Sequence, residues 1–175
     1  MGGHQSTTNL KDEWLTPPSI IDALGGADSF DLDPCAPVVR PWPMARQHYT
    51  IADDGLSKPW FGRVWFNPPY GKPKIVGPWM RRMAQHGVGT ALIFARTETD
   101  LFFETVWNVA TAILFVQGRV WFHHVTGEIG EHNGGAPSSL IAYGERDALI
   151  LQRSDIAGHF VRLRDAPPPC PVPAP

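Results

Sequence analysis

Asn67, Pro68, Pro69 and Tyr70 follow directly on the apolar run Val64, Trp65, Phe66, and Gly71 closes the group. Asn67 offers a side-chain carbonyl, and Pro68 a backbone carbonyl whose direction its ring restrains. Two acceptors converging on one point suit an amine conjugated to a heteroaromatic ring or to an acyl group. Such an amine is a poor nucleophile because its lone pair is delocalised. Two carbonyls, each accepting one of its N–H bonds, favour the tetrahedral form in which that lone pair can attack. Tyr70 supplies a flat face for a planar substrate, and stacking a base on an aromatic ring is worth roughly 1–3 kcal/mol. Asn67, Pro68, Pro69 and Tyr70 therefore read as the catalytic group, an amine activator. The competing reading is a rigid turn opened by Asn.

The position of these residues follows from what precedes them. Val64 to Phe66 has the character of a buried strand, and two prolines stop any ladder or helix immediately afterwards. The chain ends a strand and turns there. In an open α/β sheet, ligands bind in the crevice beyond the carboxyl ends of the strands, so Asn67 and Tyr70 are expected at a sheet rim.

The other segments alternate between strand and helix character. Ser19 to Leu24 reads as a short helix with prolines at its start and Gly25-Gly26 as its stop. Thr16 precedes it, where a hydroxyl beside backbone N–H groups favours a carboxylate, or simply caps. Ser29 to Leu32 reads as the first core strand, ending in Asp33-Pro34, where an acidic residue at a strand's carboxyl end suits an ammonium group and a sugar, or closes an Asx turn. His48 to Ala52 is a short strand candidate before Asp53-Asp54-Gly55, an acidic pair within reach of an adenosine or a plain turn. Pro78 to His86 reads as a helix whose Trp79, Met80 and Met83 form a core stripe. Thr90 to Ala95, Ala112 to Val116 and Ser138 to Tyr143 read as strands, and Asp100 to Val109 as a helix. The order implies an α/β fold with a mostly parallel sheet.

Between these elements, Gln117 to Phe122 reads as extended and His123 to Pro137 as a long Gly- and His-rich loop expected to touch substrate. His123, His124 and His132 share no established metal spacing and read as solvated loop histidines; no metal site is expected. Residues 145 to 165 read as a peripheral segment.

The chain has 175 residues, 43% of them hydrophobic, enough for one domain with a sizeable core. The expected division is a frayed residue 1–11 segment, a catalytic domain over 12–165 and a Pro-rich, solvated tail over 166–175. No apolar run approaches the length of a membrane span and the first residues lack a signal-peptide pattern, so a cytoplasmic location is expected. Cys35 and Cys170 stand alone, which excludes a disulfide framework and a cysteine-built zinc site. The net charge is -2, but the charges are segregated. Gly55 to Thr97 contains no Asp or Glu, whereas Lys58, Arg63, Lys72, Lys74, Arg81, Arg82 and Arg96 all fall within it. A basic zone around the proposed active turn is the footprint of phosphate contact; an ordinary solvated surface is the alternative.

Together, Trp14-Leu15-Thr16-Pro17-Pro18, Asp31-Leu32-Asp33-Pro34-Cys35-Ala36, Asn67-Pro68-Pro69-Tyr70-Gly71 and Gly118-Arg119-Val120-Trp121-Phe122 resemble the phage-type, Dam-like DNA N6-adenine methyltransferases over roughly residues 12 to 143. The resemblance implies a single-domain, Rossmann-like fold dependent on S-adenosylmethionine, its mostly parallel sheet ending in an antiparallel C-terminal hairpin. It implies that Trp14, Thr16, Pro17, Asp33, Pro34 and Cys35 line the cofactor, with Asp54 a further contact. Asn67 to Tyr70 would hold an adenine flipped out of duplex DNA, with Lys72, Lys74, Arg81, Arg82 and Arg119 as DNA contacts. For a phage-encoded protein, the location would be the cytoplasm of the bacterial host. The sequence departs from many methyltransferases in having no Gly-rich continuation after Cys35-Ala36, and no separate target-recognition domain is evident. The same turn occurs in methyltransferases acting on RNA guanine amines and on protein glutamine. A catalytically inactive nucleic-acid-binding module is a third reading.

Overall fold

The computed structural model describes residues 14–69, 73–131 and 135–165. Tyr70, Lys72 and His132, the 1–11 segment and the 166–175 tail lie outside these described residues. The elements run β1 (Trp14–Leu15), α1 (Pro18–Ala23), a 3-10 turn (Ala27–Ser29), β2 (Leu32–Asp33), β3 (Gln47–His48), β4 (Val64–Phe66), α2 (Pro73–His86) and β5 (Gly89–Phe94). Then come α3 (Asp100–Phe102), a π-helical turn (Phe103–Trp107), β6 (Ala112–Val116), β7 (His123–His124), β8 (Ser138–Tyr143), α4 (Glu145–Arg153) and β9 (Gly158–Arg162).

Seven strands form one mixed sheet in the order β3-β2-β4-β5-β8-β6-β9. The pairs β2/β3, β2/β4 and β4/β5 are parallel. β8 runs against both β5 and β6, and β9 runs against β6. Three antiparallel pairings thus join four strands, with β8 inserted between β5 and β6. The parallel half brings the carboxyl ends of β2, β3 and β4 to one rim.

The period-2 alternation of the strands divides the core into two layers. Trp65, Leu92, Leu114, Leu140 and Ala142 face one side, where Ile20 and Ile21 of α1, Leu24 at its C-cap, and Ala148 and Leu151 of α4 cover them. Val64, Phe66, Ala91, Ile93, Ile113, Ile141 and Tyr143 face the other, against Met80 and Met83 of α2 and Phe102 of α3. A sheet buried on both faces explains why its central strands read as continuous apolar runs.

Several boundaries differ from the sequence reading. Ser29 to Leu32 is not a strand: Ala27–Ser29 forms the 3-10 turn and pairing begins only at Leu32. The segment from His48 contributes only Gln47–His48 as a strand, because Thr50 and Asp53 close a turn immediately afterwards. Helix α2 starts five residues before Pro78, at Pro73, since a proline in the first turn forfeits no helical hydrogen bond. The 100–109 helix changes at Phe103 into a π turn.

Residues 145 to 165 are not peripheral. α4 buries Asp147, Ala148 and Leu151, and β9 pairs with the whole of β6. Asp147 accepts from Arg63 Nε at 2.8 Å, with both side chains 1% exposed. Thr90 Oγ1 donates to the same carboxylate oxygen at 2.7 Å. Arg63 also donates to the Leu24 carbonyl and to Ser29 Oγ, and its guanidinium lies 3.8 Å over the Phe30 ring. This charge cluster fastens α1, β4, β5 and α4 together at the amino ends of the strands. Arg63, a member of the basic zone in the sequence, therefore points inward and offers nothing to a phosphate. No described helix is long and apolar enough to cross a membrane.

Candidate active site

Beyond Phe66 the chain leaves β4 and Asn67, Pro68 and Pro69 enter the wall of a cavity of about 430 Å³, a size typical of small-molecule sites. The cavity lies at the carboxyl rim of the parallel strands. Trp14, Thr16, Asp33, Pro34, Cys35 and Asp54 line it as well. All but one of the residues singled out as cofactor contacts thus share a single cavity; Pro17 instead caps α1 next to Thr16. Leu15, Met44, Gly55 and Trp79 complete much of the wall.

Two contacts join the wall segments across the sheet. The Cys35 thiol donates to the Asn67 backbone carbonyl at 3.2 Å, tying the end of β2 to the end of β4. Burial pushes the Cys35 thiol well above its ordinary range, so it stays protonated and serves as a donor, not a nucleophile. Asn67 Nδ2 makes a long 3.5 Å contact to the Trp14 carbonyl. That orients the amide with its nitrogen toward β1 and its carbonyl oxygen as the acceptor on the opposite branch.

Asp33 is 4% exposed. Burial pushes its pKa up to about 7, against the lowering effects of the Cys35 N–H, which donates to Oδ1 at 3.1 Å, and of Arg40. A carboxylate held in this way gains most from a cationic ligand that restores its charge balance. Thr16 Oγ1 is buried and has no hydrogen-bond partner, though Thr16 lines the cavity; such an atom costs stability until something satisfies it.

The acidic pair Asp53-Asp54 divides into two roles. Asp53 accepts from the backbone N–H and the hydroxyl of Thr50, and these hydrogen bonds hold its carboxyl below the usual range. Asp53 is the turn; Asp54 is the cavity residue. Gly55 is required at the next position because a Cβ there would lie 2.0 Å from the Pro34 carbonyl oxygen. His48 Nε2 accepts from the Met44 N–H at 3.3 Å, and burial brings its pKa down to about 4, so this ring is neutral.

The region read as a long loop carries its own order. β7 pairs with β1, placing Leu15 opposite His123 and Trp14 opposite His124, and a further bridge joins His123 to Ile129. His124 packs on Trp14 at 4.6 Å and His123 against Trp42 at 5.2 Å. These two are half-buried partners of tryptophans, not solvated loop histidines. Trp42 in turn donates to the Thr16 carbonyl at 3.3 Å, so the hairpin around β7 buttresses the β1 wall of the cavity.

Of the basic residues proposed to meet DNA, Lys74 and Arg119 are exposed. Arg81 is exposed but forms a bidentate pair with Glu104 at 2.7 and 2.8 Å. Arg82 donates to the Lys58 carbonyl at 3.3 Å and lies 5.8 Å over the Trp60 ring. Sequence reading missed Trp79 as a cavity residue, placing it in the core stripe with Met80 and Met83; those two are core, whereas Trp79 is half-buried, packs against that core and also lines the cavity.

The arrangement combines acceptors from Asn67 and Pro68 with carboxylates and an unsatisfied hydroxyl in one aromatic-walled cavity. A family model for DNA N-6-adenine-methyltransferase (Dam) matches residues 3–148. No curated protein and no solved structure matches the chain. The matched span covers most of the sequence and includes every wall of the cavity, and on that ground the chain belongs to the DNA N-6-adenine-methyltransferase (Dam) family.

Proposed function

We propose that the chain transfers the methyl group of S-adenosylmethionine to the N6 amine of an adenine swung out of duplex DNA, on a Rossmann-like scaffold. The observation that carries this reading is the meeting of Asn67 and Pro68 with Asp33 and Asp54 in one cavity. The residues present fit the cofactor. Asp33 and Asp54 match its ammonium and ribose, the unpartnered Thr16 hydroxyl suits its carboxylate, and Trp14 and Trp79 offer apolar walls. When bound, S-adenosylmethionine supplies an electrophilic methyl group on a sulfonium centre.

The protein's part is largely positional. The Asn67 side-chain carbonyl and the Pro68 backbone carbonyl accept the two N–H bonds of the adenine amine. That removes the lone pair from conjugation and aims it at the methyl carbon. Tyr70 stacks on the extruded base, in keeping with enzymes that act on unstacked nucleotides. The amine loses its proton to water after transfer, so no side chain serves as general base. Lys72, Lys74, Arg81, Arg82 and Arg119 supply phosphate contacts.

The decisive test is methyl transfer from tritiated S-adenosylmethionine to unmethylated duplex DNA, followed by nucleoside analysis. Label is expected in N6-methyladenine. Label confined to another nucleoside, or appearing only with RNA or protein acceptors, rejects the reading.

A further inference from the structure

Trp60 does not line the cavity, yet it touches the pieces that shape one side of it. Its indole N–H donates to the Gly55 carbonyl at 2.8 Å in a buried hydrogen bond. Its ring packs near Trp79 at 6.4 Å, Phe66 at 5.8 Å and His86 at 5.9 Å. Gly55 and Trp79 are both cavity residues. The segment that carries Trp60 is fastened to α2 on either side: Arg82 donates to the Lys58 carbonyl, and His86 Nε2 lies 2.8 Å from the Gly62 carbonyl.

What this clamp holds is a strained residue. Asp54 has φ 53°, and among the described residues it is the one non-glycine in the left-handed region. Such a conformation persists where the surroundings over-determine it. Here Gly55 is trapped between the Pro34 carbonyl, which leaves no room for a Cβ, and the Trp60 indole. We infer that Trp60 is a positioning residue: its hydrogen bond to Gly55 holds Asp54 at the cavity wall, and so sets cofactor affinity without touching the cofactor. The inference rests on the reading of the cavity as the S-adenosylmethionine site.

The test is a double-mutant cycle read by calorimetric titration with S-adenosylmethionine. Trp60→Phe keeps a flat apolar ring and removes the donor. A second variant carries the benzothiophene analogue of tryptophan at position 60, matching the indole in shape but lacking its N–H. Both are expected to bind the cofactor about fivefold more weakly, the size of one net hydrogen bond, with KM for duplex DNA unchanged. In an Asp54→Ala background neither should weaken binding further. Equal weakening in both backgrounds, or full affinity in the benzothiophene variant, overturns the inference. If the unmodified protein fails to bind S-adenosylmethionine, or Asp54→Ala binds as it does, the reading of the cavity falls instead and takes this inference with it.

Discussion

Asn67 sits where three segments meet: its backbone carbonyl takes the Cys35 thiol, its amide nitrogen faces the Trp14 carbonyl, and Pro68 fixes the direction of the next carbonyl. Truncating the side chain leaves the backbone contact to Cys35 in place. Asn67→Ala should therefore lower kcat by about 10²–10³, the usual cost of losing one preorganised transition-state partner, while cofactor affinity is retained. Single-turnover methyl transfer beside a binding titration checks this, and normal turnover would remove Asn67 from the mechanism. Asp33 carries a different signature. Its folded pKa of about 7 lies above the ordinary 3.8, so the protonated acid is the form the fold prefers. Its stability contribution is fully present below the ordinary value and is lost as pH rises through about 7. Asp33→Asn should thus stabilise the cofactor-free protein, by up to about 4 kcal/mol at pH 8 and by less at pH 5, in urea denaturation. On the proposed reading of the cavity, the same substitution should weaken binding of S-adenosylmethionine and flatten a dependence in which affinity rises with pH up to about 7. A gain no larger at pH 8 than at pH 5 would contradict the assignment.

The elements divide their work between the two ends of the sheet. At the carboxyl rim, β1, β2 and β4 deliver the cavity wall; at the amino end, the Arg63–Asp147 pair holds α1, β4, β5 and α4 together. Asp147→Ala leaves a guanidinium buried without its counter-charge, which costs about 3–5 kcal/mol. Urea unfolding should register that loss, while the folded fraction keeps wild-type cofactor affinity because the pair stands apart from the cavity. An equal fall in affinity would mean that the two ends are not independent. How far these elements were legible beforehand depends on where their information lies. The turn after Phe66 and the end of β2 at Asp33 are local signals: prolines end both runs, and the rule that ligands bind beyond the carboxyl ends of the strands puts both at the rim. The two-residue strands β2 and β3 are not, because their pairing comes from neighbours rather than from any period of their own. Asp147 lies 84 positions from Arg63, and nothing near either residue marks them as partners; that is why α4 looked peripheral. Trp60 carries no signal in the sequence for the same reason, and Gly55 reads there only as the end of a turn, since their importance lies in contacts to Pro34 and Trp79 that arise only after folding.

At the scale of the whole molecule, folding sorts the basic zone that is continuous in the sequence. Arg63 goes inward to Asp147, Arg81 is paired with Glu104, and Arg82 is stacked on Trp60. Lys58, Lys74 and Arg96 are exposed, joined by Arg119 from beyond the zone. These groups should not contribute equally to DNA binding. Each phosphate neutralised releases condensed counterions, so the slope of log affinity against log salt falls by about 0.9 for every phosphate interaction removed. Lys74→Ala should reduce that slope by about one and weaken binding uniformly across DNA sequences. Arg81→Ala should change it less, because the Arg81 charge is already shared with Glu104 in a pair that must rearrange before it meets a phosphate. Removing the competitor should have the opposite effect: Glu104→Ala releases Arg81 and steepens the slope. Anisotropy titrations of labelled duplex at several salt concentrations separate the three variants. If Lys74→Ala and Arg81→Ala shift the slope equally and Glu104→Ala leaves it unchanged, the pair seen on α2 does not govern which charges reach the DNA, and the sequence zone would describe the binding face better than the folded surface does.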